Sequence, residues 1–165
     1  MEAAAEQLTP VAARIHEVLR RRGESAATAE SLTGGLVGAT LTGVAGASQT
    51  YRGGVIVYAT DLKAELLGVP AVLLAERGPV DPGVAAAMAE GVRDRLGASW
   101  GVALTGVAGP DAQGGRAVGT VFIAVAGGRA TTVVERSFPG GREDVRWAAC
   151  RDALHALYDR LAAGE

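Results

Sequence analysis

The chain has 165 residues, 48% of them hydrophobic and 21% charged, a net charge of −2 and one cysteine; that length suits a single domain over residues 1–165 with an ordinary core. The acidic balance argues against a nucleic-acid surface, which needs basic patches to neutralise phosphates, and a lone cysteine excludes an internal disulfide. The acidic start, Met1–Glu6, lacks the apolar core of a signal peptide, and no run approaches the roughly 18 apolar residues that span a membrane, so a cytoplasmic protein is expected.

A first helix is expected from about Glu6 to Arg22, where Leu8, Val11, Ile15, Val18 and Leu19 form one stripe and Gly23 takes the C′ position. His16 lies beside that stripe and reads as a boundary residue packed against helix neighbours. A short strand, Ala26–Glu30, leads into Ser31-Leu32-Thr33-Gly34-Gly35 and a helix ending near Gly46, with Leu36, Val37, Leu41 and Val44 on one face. Ser31 thus falls at a strand-to-helix junction, with Thr33, Gly34 and Gly35 just inside the helix start. Free N–H groups and the helix dipole favour an anion or a developing oxyanion there. A hydroxyl in that place is equally a good helix cap.

Ala47-Ser48-Gln49-Thr50 reads as a loop, and Tyr51–Tyr58 as a strand whose β-branched second half suits cover on both faces. Gly53-Gly54 marks a bulge or a close backbone approach. Short helices are expected over Asp61–Gly68, capped by Thr60 or Asp61, and over 70–77. Asp81 as N-cap and Pro82 at the first position then open a helix that buries Val84, Met88, Val92 and Leu96 and stops at Gly97. Trp100–Thr105 is a buried-type strand ending in Gly106-Val107-Ala108-Gly109-Pro110-Asp111. Val118–Ala126 and Ala130–Phe138 flank Gly127-Gly128, a hairpin signal that makes the pair antiparallel. A last helix, Arg142–Ala162, turns Trp147, Cys150, Leu154, Leu157 and Leu161 toward the core, with His155 just off that stripe. Cys150 there reads as a small packed hydrophobe.

Strands interleaved with helices and closed by an antiparallel pair make a three-layer α/β/α sandwich: a mixed, mostly parallel sheet with a C-terminal antiparallel strand pair. Ligands in such sheets bind beyond the carboxyl ends of strands. Two of those ends carry hydroxyl-glycine turns, Ser31-x-Thr33-Gly34-Gly35 and Thr105-Gly106-x-x-Gly109, and the two turns can share one pocket. Both histidines lie in mid-helix at opposite ends of the chain, which argues against a Ser-His-Asp triad. Zinc-ligand spacing, a Walker A loop and the dinucleotide fingerprint are all missing, so neither a metal nor a cofactor is expected. A histidine-free nucleophile then requires serine activated by lysine. Lys63 is the only lysine. Arginine stays charged, whereas a partly buried lysine can lose its proton and act as a base; the plain alternative is a solvated helix lysine.

Several motifs carry a family resemblance: Ala29-Glu30-Ser31-Leu32-Thr33-Gly34-Gly35, Gly46-Ala47-Ser48, Arg52–Tyr58 with Lys63, and Leu66-Leu67-Gly68-Val69. Thr105–Asp111, Val118-Gly119-Thr120-Val121 and Gly141-Arg142-x-x-Val145-Arg146 complete the set. In this order and spacing, over about residues 8–160, the chain resembles the C-terminal domain family of CinA. Leu32 stands where a cysteine is common, and Ala112–Ala117 differs from the common Lys-Pro ending of that loop. The resemblance implies hydrolysis of the carboxamide of nicotinamide mononucleotide, with release of ammonia, by a stand-alone deamidase lacking the extra N-terminal domain of larger members. It implies Ser31 as nucleophile, Lys63 as base and Tyr58 beside them, orienting Lys63 or relaying a proton.

On that reading, N–H groups around Thr33 and Gly34, in the turn with Gly35, would meet the oxyanion. Arg142, and Arg146 one turn on, are candidate anchors for the substrate phosphate. Thr105 and Gly106 would line its ribose or phosphate side. Ser48 offers a second hydroxyl and a competing nucleophile. A non-catalytic nucleotide-binding module would use every motif residue except Ser31 and Lys63 equally well. The family name adds a competence- or DNA-damage-linked accessory role, which the acidic charge disfavours. Gly-rich strands and few aromatics leave room for a homo-oligomer.

Overall fold

In the computed structural model, which describes residues 2–164, the two hydrophobic periods resolve into one five-stranded sheet with helices on both faces. The elements run α1 (Glu2–Arg22), β1 (Ala26–Glu30), α2 (Leu36–Thr42), a 3-10 turn (Ala47–Gln49), β2 (Tyr51–Ile56), α3 (Thr60–Leu67) and α4 (Ala71–Arg77). α5 (Pro82–Arg95), β3 (Trp100–Gly106), β4 (Thr120–Gly127), β5 (Ala130–Ser137) and α6 (Arg142–Ala162) follow. Strand order is β2-β1-β3-β4-β5. β1 pairs in parallel with β2 and β3, and β4 is antiparallel to β3 and β5, so β4 alone runs against the other four strands. This is the expected three-layer class, with its antiparallel C-terminal pair.

Side-chain alternation sorts the core into two layers. Ala26, Val102, Leu104, Val121, Ile123 and Val125 pack with α1, α2 and α6, while Ala27, Ala29, Ala103, Phe122, Ala124 and Ala126 pack on the side of α3 and α5. The second layer is thin because its contacts are made by small residues. A Cβ on Gly101 of β3 would lie 2.0 Å from the Ala89 carbonyl oxygen of α5, and a Cβ on Gly91 of α5 would lie 2.0 Å from the Leu67 carbonyl oxygen of α3. Backbone thus rests on backbone from β3 through α5 to α3. Asp81 caps α5 as expected, accepting the Gly83 N–H at 2.8 Å, with Pro82 next.

Several local expectations are corrected. α1 begins at Glu2, because the alanines at 3–5 are strong helix formers that carry it a turn further. α2 is shorter at both ends, spanning only Leu36–Thr42. β2 stops at Ile56 and is an edge strand with alternating exposure, not one covered on both faces; Ile56 is 53% exposed. Its bulge is real: Ala26 pairs with Tyr51 and Ala27 with Gly53, leaving Arg52 unmatched. α3 is preceded by Ala59 with no side-chain cap, in place of a cap by Thr60 or Asp61. In the hairpin Gly127 pairs with Ala130, so the turn is Gly128-Arg129.

His16 is buried outright, not at a boundary. Its Nε2 donates to the Leu41 carbonyl (2.9 Å), and its Nδ1 is hydrogen-bonded to the Thr50 hydroxyl (2.6 Å). The ring fastens α1 to the end of α2. Among the described residues no helix is long and apolar enough to cross a membrane.

The α5–α3 contact leaves no room for a methyl group. Gly91→Ala is expected to lower stability by about 1–3 kcal/mol, seen as a lower urea midpoint with an unchanged denaturant slope.

Candidate active site

The site grows from the end of β1, the middle one of the three adjacent parallel strands. Ser31 is the first residue beyond β1, and its N–H continues the ladder by one step, donating to the Leu104 carbonyl at 3.2 Å. The chain then turns tightly: the Gly34 N–H donates to the Ser31 carbonyl (3.1 Å), and Gly34 and Gly35 adopt φ of 59° and 101°. That left-handed backbone suits glycine. Thr33, Gly34 and Gly35 therefore precede α2 and are not inside it, and Gly35 is the N-cap.

The helix start is already occupied. The buried Glu30 carboxylate accepts the N–H groups of Gly35 (2.9 Å), Val37 (3.2 Å) and Gly38 (2.8 Å). On the carbonyl side of the same turn, Arg146 donates from Nε to Leu32 O (3.0 Å) and from Nη2 to Thr33 O (2.9 Å).

Lys63 comes from the neighbouring crossover. The residue after β2, Val57, donates its N–H to the Glu30 carbonyl (2.8 Å), and α3 then carries Lys63 back over the end of β1. Lys63 is only 1% exposed. Its Nζ donates to the Val57 carbonyl at 2.6 Å and lies 3.1 Å from Ser31 Oγ. Burial penalises the ammonium and lowers the lysine to about 8. About one molecule in ten then carries the neutral amine at pH 7. A neutral amine at hydrogen-bond distance from a serine hydroxyl can take its proton, which is the requirement for a histidine-free serine nucleophile.

Ser31 and Lys63 open into a cavity of about 190 Å³, also lined by Tyr58, Thr105, Gly106 and Arg142. Of the first hydroxyl-glycine turn only Ser31 and Leu32 line this pocket, whereas the second contributes all of Thr105–Gly109. Thr105 is buried and donates from Oγ1 to the Pro79 carbonyl at 2.6 Å. Arg142, on the first residue of α6, donates from Nη2 to the Tyr58 hydroxyl (2.9 Å) and from Nη1 to the Gly109 carbonyl (2.6 Å). Tyr58 thus partners Arg142, while the group orienting Lys63 is the Val57 carbonyl.

Other expected residues stand apart from the cavity. Thr33, Gly34, Gly35 and Arg146 do not line it. Gly34 and Gly35 spend their N–H groups on Ser31 and Glu30, and Arg146 is tied to backbone carbonyls. Ser48 is exposed on the 3-10 turn that leads into β2, at the end of the parallel strands opposite Ser31.

Sequence reasoning missed Thr60, Pro79, Asp111 and Gln113 as lining residues, and Glu30 as a structural group. The loop after β3 signalled Asp111 and Gln113, since ligands gather where strands end. Nothing in the spacing marked Pro79. Among the described residues no three His, Cys, Asp or Glu side chains group as metal ligands would.

Lys63 is the only lysine, so its resonance is told from that of the N-terminal amine, which titrates in the same range, by its loss in Lys63→Met. Reductive ¹³C-methylation should give one side-chain amine resonance with a midpoint of about 8, instead of the ordinary value near 10.4. The unfolded chain binds more protons across that interval, so the Lys63 contribution makes stability rise with pH from about 8 to 10.4.

The model of the CinA C-terminal domain matches residues 8–161. A CinA-like protein of Anaeromyxobacter dehalogenans (strain 2CP-C) is 50% identical over 147 residues, covering 87% of this chain and 35% of that protein. One from Frankia casuarinae is 48% identical, covering 89% and 34%. The chain spans about a third of the length of these curated relatives. Among solved structures, competence damage-inducible protein A of Klebsiella pneumoniae superposes with a TM-score of 0.91 at 32% identity, over 95% of this chain and 98% of that one. The competence/damage inducible protein CihA of Agrobacterium tumefaciens gives 0.89 at 34%, over 94% and 95%. The chain belongs to the CinA C-terminal domain family.

Proposed function

We propose that this chain hydrolyses the carboxamide of nicotinamide mononucleotide to nicotinate mononucleotide and ammonia by a Ser31/Lys63 mechanism. The observation that carries the reading is the 3.1 Å contact between Lys63 Nζ and Ser31 Oγ, with the amine buried and its proton affinity lowered. The substrate itself is read from the family resemblance.

Neutral Lys63 takes the Ser31 proton as Oγ attacks the carboxamide carbon, and the carbonyl oxygen becomes the oxyanion of a tetrahedral adduct. The C–N bond then breaks. The Lys63 ammonium gives its proton to the departing nitrogen, and ammonia leaves an ester on Ser31. The amine, neutral again, deprotonates a water that attacks the ester; the bond from Oγ to the acyl carbon breaks, the Lys63 ammonium returns the proton to Ser31 Oγ, and the acid is released. The Val57 carbonyl holds Nζ through each of these transfers. With the Gly34 and Gly35 N–H groups committed elsewhere, the oxyanion is left the donors of the cavity lining itself, from Leu32 of the Ser31 turn and from the turn that follows β3.

The phosphate end is assigned to Arg142. Its guanidinium fork stands at the cavity rim, and a phosphate would displace its present bonds to Tyr58 and Gly109.

Ammonia release from nicotinamide mononucleotide should be detectable for the wild type and fall at least about 10³-fold in Ser31→Ala and in Lys63→Met. The rate should climb with pH toward a midpoint of about 8, because the neutral amine is the working form. Retained release in Ser31→Ala would move the nucleophile elsewhere. A wild type that binds the nucleotide yet frees no ammonia would make the fold a binding module.

Arg142→Ala should act mainly on KM, raising it roughly tenfold or more. Steady-state kinetics with the nucleotide and with the phosphate-free riboside checks this, since the riboside should be insensitive to the change.

A further inference from the structure

We infer that Glu30 is a positioning residue for Ser31: its carboxylate, committed to the backbone N–H groups that open α2, sets the turn that aims the Ser31 hydroxyl at Lys63. The inference rests on Ser31 being the nucleophile of the proposed reaction.

Glu30 is 2% exposed. A carboxylate taken out of water is costly unless hydrogen bonds replace its hydration, and here backbone donors do so. Oε2 accepts from Gly35 and Val37, and Oε1 from Gly38, at 2.8–3.2 Å. Consecutive residues at a strand end face opposite sides of the sheet. Glu30 therefore points toward α2, and Ser31 toward the α3 side that brings Lys63. Two of the four residues between Ser31 and Leu36 are glycines with left-handed backbone, which also adopt other conformations readily, so the path of the turn depends on the groups that hold it.

Glu30 acts on Lys63 as well, through its own backbone. Its carbonyl accepts the Val57 N–H (2.8 Å), and the Val57 carbonyl accepts Lys63 Nζ (2.6 Å). One residue thus connects the serine, by peptide bond and by the turn, to the carbonyl that orients the base. Arg146 complements it by holding the Leu32 and Thr33 carbonyls. The turn is gripped by an anion on its N–H groups and a cation on its carbonyls.

Glu30→Gln keeps the shape but replaces one acceptor oxygen by a donor NH₂, which cannot serve the N–H groups it faces. It should lower kcat roughly 10–100-fold with KM within about twofold of wild type. The pH midpoint of the rate should stay where it is in the wild type, because burial sets the lowered proton affinity of Lys63. Glu30→Asp keeps the charge but withdraws it by one methylene, and should show the same kcat loss. Val37→Ala trims a core side chain of α2 and leaves its N–H in place; at a comparable fall in melting temperature it should retain kcat within about twofold.

A direct readout needs no substrate. The rate at which a fluorophosphonate labels Ser31, displacing fluoride, should fall in Glu30→Gln and Glu30→Asp but not in Val37→Ala. Wild-type kcat in Glu30→Gln, an equal kcat loss in Val37→Ala, a displaced pH midpoint, or unchanged labelling would each overturn the inference. If the wild type frees no ammonia but labels, and Glu30→Gln slows labelling, the amidase reading fails while the positioning role stands.

Discussion

The arrangement depends on one buried amine. Lys63 Nζ sits between the Val57 carbonyl and the Ser31 hydroxyl, with burial as the sole cause of its lowered proton affinity. An ammonium removed from water and given only neutral partners loses its proton more readily. The same burial makes the amine a competent base near neutral pH, and it costs stability wherever the folded chain must keep the lysine charged. α3 must therefore be pressed against the sheet firmly enough to exclude water from Nζ.

The small residues make that pressure possible. β1 reads Ala26-Ala27-Thr28-Ala29-Glu30, an unpromising strand by propensity, yet it is the central parallel strand with a ladder on each side. Ala27 and Ala29, with Gly101 and Ala103 on β3 and Ala85 and Ala89 on α5, thin the layer between sheet and helices. Backbone contact at Gly91 passes this closeness on to α3. The high glycine content thus serves close approach of the layers as much as turns.

Two arginines one helical turn apart divide the work at the start of α6. Arg146 turns inward onto the carbonyls of the Ser31 turn, while Arg142 stays at the rim with Tyr58 and Gly109. Glu30 completes the inner set by taking the α2 N–H groups. The Glu30 and Arg146 charges beside the nucleophile are consequently spent on backbone, and Arg142 is the arginine that lines the cavity.

Much of this was legible in the chain itself. Apolar periodicity and capping residues located each helix and strand to within a few positions, and the hairpin glycines marked the antiparallel pair. The absence of usable histidines together with a single lysine pointed to a serine–lysine pair based on Lys63, and the family resemblance supplied Ser31; the two lie 32 residues apart yet come within hydrogen-bond distance. These features are local or compositional, so they survive being read in one dimension.

What only the tertiary structure decided was partnership. Spacing treated the α2 N-terminus as open to an anion and Arg146 as free for a phosphate, but both are consumed by groups remote or unmarked in sequence, Glu30 and the 32–33 carbonyls. Likewise β2 read as covered and proved to be an edge, and Ser48 proved to lie at the far end of the strands. Hydrogen-bond donors and acceptors are assigned by proximity in space, and a sequence pattern carries the inventory of such groups without carrying their pairing.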